Sequence, residues 1–155
     1  MKTTTLALIL IGMMVVIGFL MIKGSGAKTL GSTSGESDQA VVIEPAEKVE
    51  VIHFHGTQQC WSCITVGEYA LKTIEDKFPD ELASGKIVYM DVNGELSENQ
   101  ELVAKYQARG SSLFINAIRD GKDDISEDVT VWRLVNNETQ FRNYFENKLK
   151  ALLGK

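Results

Sequence analysis

Cys60 and Cys63 are the only cysteines in the 155-residue chain, three apart in Cys60-Trp61-Ser62-Cys63. A stapling framework uses several cysteines at wide spacing, so this pair reads as a site rather than scaffolding. A strand-like run precedes it, Val49-Glu50-Val51-Ile52-His53-Phe54-His55, ended by Gly56, and a helix-like run follows from Cys60 to Phe78. A Cys-x-x-Cys at a strand-to-helix junction carries thiol–disulfide chemistry. The helix N-terminus turns unpaired N–H groups and the positive end of its dipole toward the first thiol. That favours the thiolate, the reactive species. Cys60 is then the nucleophile on a partner disulfide, and Cys63, one turn later, resolves the mixed disulfide.

The two histidines of the chain, His53 and His55, stand two apart on the first strand and so share a face. With the cysteines they make His-x-His-x4-Cys-x2-Cys, soft or borderline ligands for which zinc or copper is a conceivable guest. The same histidines suit proton transfer or thiolate tuning, or simply a satisfied, partly buried place in the strand. All three readings stay open. Asp120, Asp123, Asp124, Glu127 and Asp128 crowd one stretch without the alternation of a calcium loop, which predicts a solvated turn. Asn137-Glu138-Thr139 has the form of a glycosylation sequon, but helix capping accounts for Asn137 without it.

The elements that position the dithiol follow from periodicity and punctuation. Ile64, Leu71, Ile74 and Phe78 set one helical face, Pro79 stops that helix, and Gly67 within it marks a bend or close packing. Lys86 to Val92 is a second strand; Ser97 to Tyr106 is a short helix capped by Ser97 with Gln100 three on. Leu113 to Ile118 is a third strand that turns at Asp120-Gly121. Asn137 caps a last helix with Gln140 at the third position, burying Phe141, Tyr144, Phe145, Leu149, Leu152 and Leu153. Asp128 to Val135 suits a strand by alternation and a helix by Trp132 and Val135. The order β-α-β-α-β, then a hairpin strand and a helix, gives an α/β sandwich with part of its sheet parallel.

Ahead of this domain, Thr3 to Ile22 carries no charge between Lys2 and Lys23. Twenty helical residues span roughly 30 Å, the hydrocarbon thickness of a bilayer, so residues 1–23 are expected to form a single-pass membrane anchor. A cleaved signal peptide is the competing reading, with Ser25 and Ala27 as small residues near a cleavage site. Residues 24–47 follow as a Gly/Ser-rich tether, and residues 48–155 form the folded domain. The chain is acidic, with a net charge of −5, which argues against nucleic acid as a partner. An acidic domain behind such a segment is expected outside the cytoplasm.

The run from Lys48 to Gly110 resembles the thioredoxin superfamily. Beyond the Cys-x-x-Cys, the likeness rests on Val51–Phe54, on Val88-Tyr89-Met90-Asp91-Val92-Asn93, and on Tyr106-Gln107-Ala108-Arg109-Gly110 leading to the third strand. Phe54-His55-Gly56 followed by the dithiol is more narrowly similar to the ArsF-like proteins, named as a nitrophenyl nitroreductase subunit and associated with organoarsenical resistance. The resemblance implies a three-layer α/β/α fold with a mixed sheet, a redox-active disulfide and no organic cofactor. It also implies protein thiols and disulfides, or a membrane reductase or permease, as partners. The oligomeric state stays open.

Three departures from the family bear on the site. Ser111-Ser112 stands where thioredoxins have a cis-proline, so a trans peptide is expected there. His53 replaces a buried carboxylate, allowing a one-residue insertion before Cys60, and Trp61-Ser62 replaces Gly-Pro, which retunes the potential. Two rival functions remain. The reduced dithiol of Cys60 and Cys63 could carry Zn, Cu or As(III), or the domain could be an accessory subunit of a membrane redox or efflux system.

Overall fold

The structure, a computed structural model, describes residues 44–155. The expected anchor of residues 1–23 and most of the tether lie outside the described residues. Among the described residues no helix is long and apolar enough to cross a membrane.

Strand β1 (Lys48–His55) leads into helix α1 (Trp61–Lys77), short helix α2 (Pro79–Ser84) and strand β2 (Ile87–Asn93). Helix α3 (Gln100–Tyr106), strands β3 (Ser112–Ile118) and β4 (Ile125–Glu127), and helix α4 (Glu138–Leu153) complete the domain. The sheet order is β2-β1-β3-β4, with β1 parallel to β2, β3 antiparallel to β1, and β4 antiparallel to β3. Period-2 alternation divides β1 between two cores. Val49 and Val51 pack with Leu113, Ile115 and the inner faces of α1 and α4; Ile52 and Phe54 pack on the opposite side with Val92, Phe114 and Tyr106 of α3. This is the three-layer, thioredoxin-like α/β arrangement with a mixed four-stranded sheet that the sequence led one to expect.

Local chemistry explains where the elements begin and end. Asp120 and Gly121 both take positive φ, 50° and 68°, which closes the two-residue turn between β3 and β4. Asn137 Oδ1 accepts from the Gln140 N–H at 3.0 Å, so the last helix is capped as its sequence predicts. Phe141, Phe145, Leu149 and Leu153 are fully buried, whereas Tyr144 and Leu152 are half-buried at the edge of the core.

Several expectations need correction. The inner face of α1 is built from Val66, Gly67, Ala70, Thr73 and Ile74, while Ile64 is 44% exposed and Leu71 only half-buried. Small residues bring the helix close to the sheet yet give no hydrophobic signal to read. Pro79 ends α1 but also opens α2, because a proline at the first helical position loses no hydrogen bond that the helix would use. Ser97 does not cap α3: a 3-10 turn over Ser97–Asn99 intervenes, and the Gln100 amide donates to the Gly94 and Leu96 carbonyls instead. The ambiguous stretch resolves into a 3-10 turn at Val131–Arg133, preceded by the three-residue β4.

A further correction concerns a polar group. Asp128 is not part of a solvated turn; it is 2% exposed and accepts from the Thr130 N–H at 3.1 Å, the Tyr144 hydroxyl at 3.0 Å and Lys148 Nζ at 3.0 Å. Asp123 and Asp124 do face outward, paired with Lys105 and Arg119. Residues just ahead of β1 pack on the domain. Ala46 is buried and donates its N–H to the Leu152 carbonyl, and the Glu47 N–H bonds the Ile118 carbonyl.

Candidate active site

The dithiol sits where β1 hands over to α1. Cys60 and Cys63 are joined as a disulfide with their Cα atoms 5.2 Å apart. Cys60 is the residue that caps α1 rather than its first turn: its extended backbone (φ −79°, ψ 163°) precedes the helix, and its carbonyl accepts from the Ile64 N–H at 3.1 Å. Its sulfur takes the place of a capping oxygen, accepting from the Cys63 N–H at 3.3 Å. The Ser62 hydroxyl lies 3.1 Å from the same sulfur. Both groups can donate to a Cys60 thiolate once the disulfide is reduced, adding to the helix dipole. The sequence predicted unpaired helix N–H groups turned toward the first thiol; that the Cys63 amide is the donor, and that Ser62 joins it, emerges only with the backbone in place.

His53 lies beneath this turn of helix. It is 1% exposed, and its Nδ1 is 2.7 Å from Asp91 Oδ1. A carboxylate only accepts, so the Asp91 contact places the proton of a neutral His53 on Nδ1. Nε2 is left buried, bare and without a hydrogen-bond partner. Burial pushes the His53 pKa below its ordinary value, against the opposing pull of Asp91 and of the Cys63 backbone. Helix α1 passes so near that a Cβ on Gly67 would lie 2.6 Å from His53 Nδ1 and 2.9 Å from Cε1. Gly67 therefore answers to close packing, one of its two expected roles.

His55 shares the face of His53 as predicted, the rings 5.7 Å apart and inclined by 30°. Its Nδ1 is 2.9 Å from the Gly56 carbonyl and its Nε2 3.7 Å from Asp91 Oδ2. Asp91 thus serves both histidines. Sequence reasoning missed it, because it meets His53 only through the parallel register of β1 and β2. The four-ligand metal site of His53, His55, Cys60 and Cys63 is not assembled: among the described residues no group of three or more His, Cys, Asp or Glu side chains is placed to hold a metal ion. The histidines are drawn to the Asp91 carboxylate, and Cys60 Sγ is engaged at the helix cap.

The loop before Cys60 is fastened by residues at and just past the end of β2. The Thr57 N–H donates to Glu95 Oε2 at 3.0 Å, and Asn93 Nδ2 donates to Thr57 Oγ1 at 3.1 Å. Trp61 stands 62% exposed beside the disulfide. Ser112 opens β3 opposite Phe54, buried, with its hydroxyl donating to the Gly110 carbonyl at 3.1 Å; its peptide is trans, as expected.

No protein-family model and no curated protein matches the chain. Among solved structures, the zinc-bound form of human ERp44 aligns over 67% of this chain and 27% of its own, at 17% identity and a TM-score of 0.47. A thioredoxin of Fasciola hepatica aligns over 66% of this chain and 82% of its own, at 21% identity and a TM-score of 0.40. A thioredoxin from Thermus thermophilus aligns over 67% and 76% respectively, at 15% identity and a TM-score of 0.42. The chain spans about a quarter of the human protein's length. The narrower ArsF-like likeness finds no support in these comparisons. Strand order, connectivity and the disulfide at the start of α1 carry the thioredoxin-like fold.

Proposed function

We propose that the protein is a thiol–disulfide oxidoreductase, tethered to a membrane by its first 23 residues, with its folded domain outside the cytoplasm. The observation that carries the reaction is the Cys60–Cys63 disulfide at the exposed N-terminus of α1, its first sulfur accepting from the Cys63 N–H beside the Ser62 hydroxyl. The uncharged run from Thr3 to Ile22 supports the tether.

In the reduced protein the Cys60 thiolate attacks one sulfur of a partner disulfide. A Cys60–partner S–S bond forms, the partner's S–S bond breaks, and its second sulfur leaves as a thiolate and takes up a proton. Cys63 then gives up its proton and attacks Cys60 Sγ, releasing the first partner sulfur as a thiol. The partner gains two electrons and two protons, and Cys60–Cys63 becomes the disulfide. The reverse sequence oxidises a partner dithiol. His53 is the group for the Cys63 proton: its Nε2 is bare and buried, and Asp91 is there to stabilise the imidazolium that forms.

The test is the Cys63→Ser variant of the full chain, expressed in membranes and quenched with acid. It should hold a partner covalently on Cys60, released by reductant, while Cys60→Ser holds none. Absence of any trapped species, together with equal need for both cysteines in binding one equivalent of As(III), Zn(II) or Cu(I), would replace this reading with the carrier. Recovery of the wild-type chain in the soluble fraction would remove the tether.

A further inference from the structure

Beside the dithiol an open groove of about 240 Å³ runs between α1 and the outer strand β2, lined by His53, Gln59, Ile64, Gly67, Glu68, Leu71, Tyr89 and Asp91. It is smaller than the roughly 300–1,000 Å³ of small-molecule pockets, a size suited to one side chain. Its position ties it to the reaction, because Gln59 precedes Cys60 and Ile64 follows Cys63. A partner whose disulfide lies against Cys60 brings its neighbouring residues over this groove, at about 3.3 Å per extended residue.

The lining selects the chemistry of the occupant. Ile64 and Leu71, incompletely buried by their own fold, make apolar walls with the Tyr89 ring, whose hydroxyl is already donated to the Gly67 carbonyl at 3.1 Å. The charges are of one sign. Glu68 and Asp91 both line the groove, no lysine or arginine does, and Glu68 has no ion-pair partner among the described residues. Asp91 bonds His53, whose buried ring is held toward its neutral form, so the carboxylate charge there is not cancelled. Apolar walls with carboxylates beside them fit an aliphatic stem that ends in a cation.

We propose that this groove takes a lysine or arginine side chain of the partner, next to its reacting cysteine. The protein would thereby select disulfides in basic sequence contexts. The inference deepens the oxidoreductase reading and rests on it. Its test is separable from the test of that reading.

The measurement is the rate at which the reduced full-length protein exchanges with short disulfide peptides that differ at one place, two residues from the cysteine: arginine, norleucine or glutamate. Trp61, exposed beside the dithiol, gives the fluorescence signal. Two solvent-exposed charge pairs predict arginine over glutamate by roughly three- to tenfold at low salt, shrinking in high salt. Glu68→Gln should shrink the preference, and Glu68→Lys should reverse it. Equal rates for the three peptides, a norleucine peptide as fast as the arginine one, or a preference untouched by both Glu68 variants would overturn the proposal. Oxidised glutathione serves as the common control. Normal exchange with glutathione but no selectivity removes the groove alone; no exchange with glutathione or any peptide removes the oxidoreductase reading, and the groove with it.

Discussion

Replacing Gly67 by alanine tests how tightly the helix that carries the dithiol is seated on His53. The added Cβ would lie 2.6, 2.9 and 3.3 Å from Nδ1, Cε1 and Cγ of the ring, where carbon contacts are ordinarily about 3.5–4.0 Å. The ring is held in its place: it is 1% exposed and bonded to Asp91 at 2.7 Å. Overpacking of this kind costs about 1–3 kcal/mol. Alanine in place of a mid-helix glycine returns about 1 kcal/mol. The net expectation is a loss of up to about 2 kcal/mol, read as a lower urea midpoint of the oxidised protein at unchanged slope. His53→Ala should cost stability alone but relieve part of the Gly67→Ala loss, giving a coupling of about 1 kcal/mol or more in the double-mutant cycle. If Gly67→Ala stabilises the protein by the helix-propensity increment, and the two changes add within about 0.5 kcal/mol, the close seating of α1 on His53 is wrong.

Other expectations follow from the same contacts. In the reduced protein Ser62→Ala should raise the Cys60 thiol pKa by about one unit, as loss of one hydrogen bond to a thiolate implies, measured by thiolate absorbance against pH. The depressed pKa of His53 means that the unfolded chain binds a proton more readily than the folded one. Stability should therefore be flat above about pH 7 and fall as pH drops below the ordinary histidine value of about 6.5, by at most about 1.4 kcal/mol per pH unit. Urea midpoints from pH 5 to 8 should show this slope in the wild type and less of it in His53→Gln. Lys148→Met removes a cation from the buried Asp128 while leaving Tyr144 and Thr130 in place, and should cost about 1–3 kcal/mol. Asp128→Asn in that background should recover part of the loss, since it removes the uncompensated charge.

Where hydrophobic periodicity was strong, the fold was legible from residues alone. Strands β1, β2 and β3 and helix α4 fall within a residue or two of their expected bounds, and the Cys-x-x-Cys does open a helix after a strand. The misses share a cause: the determining contact lies far away in the chain. Ile64 and Leu71 fit the helical period, but the face turned to the sheet runs through Val66, Gly67, Ala70, Thr73 and Ile74, three of them too small or polar to register as apolar. Asp128 lies in an acidic run, yet α4 reaches back with Tyr144 and Lys148 to bury it. Ser97 matched a capping pattern that the 3-10 turn displaced. At the site, the pairing of cysteines with a helix start was local and readable. Asp91 was not, because it meets His53 through the register of two parallel strands 38 residues apart.

The central claim is that Cys60–Cys63 is a working redox couple, and its reduction potential tests that most directly. Equilibrating the full-length protein with defined mixtures of reduced and oxidised glutathione, then trapping and counting free thiols, gives the potential. The exposed disulfide, with two groups placed to stabilise the reduced Cys60, predicts a value between about −120 and −270 mV, the range of catalytic dithiols. A value below about −300 mV, with the disulfide untouched by the glutathione pool, would mark it as a structural bond and contradict the account.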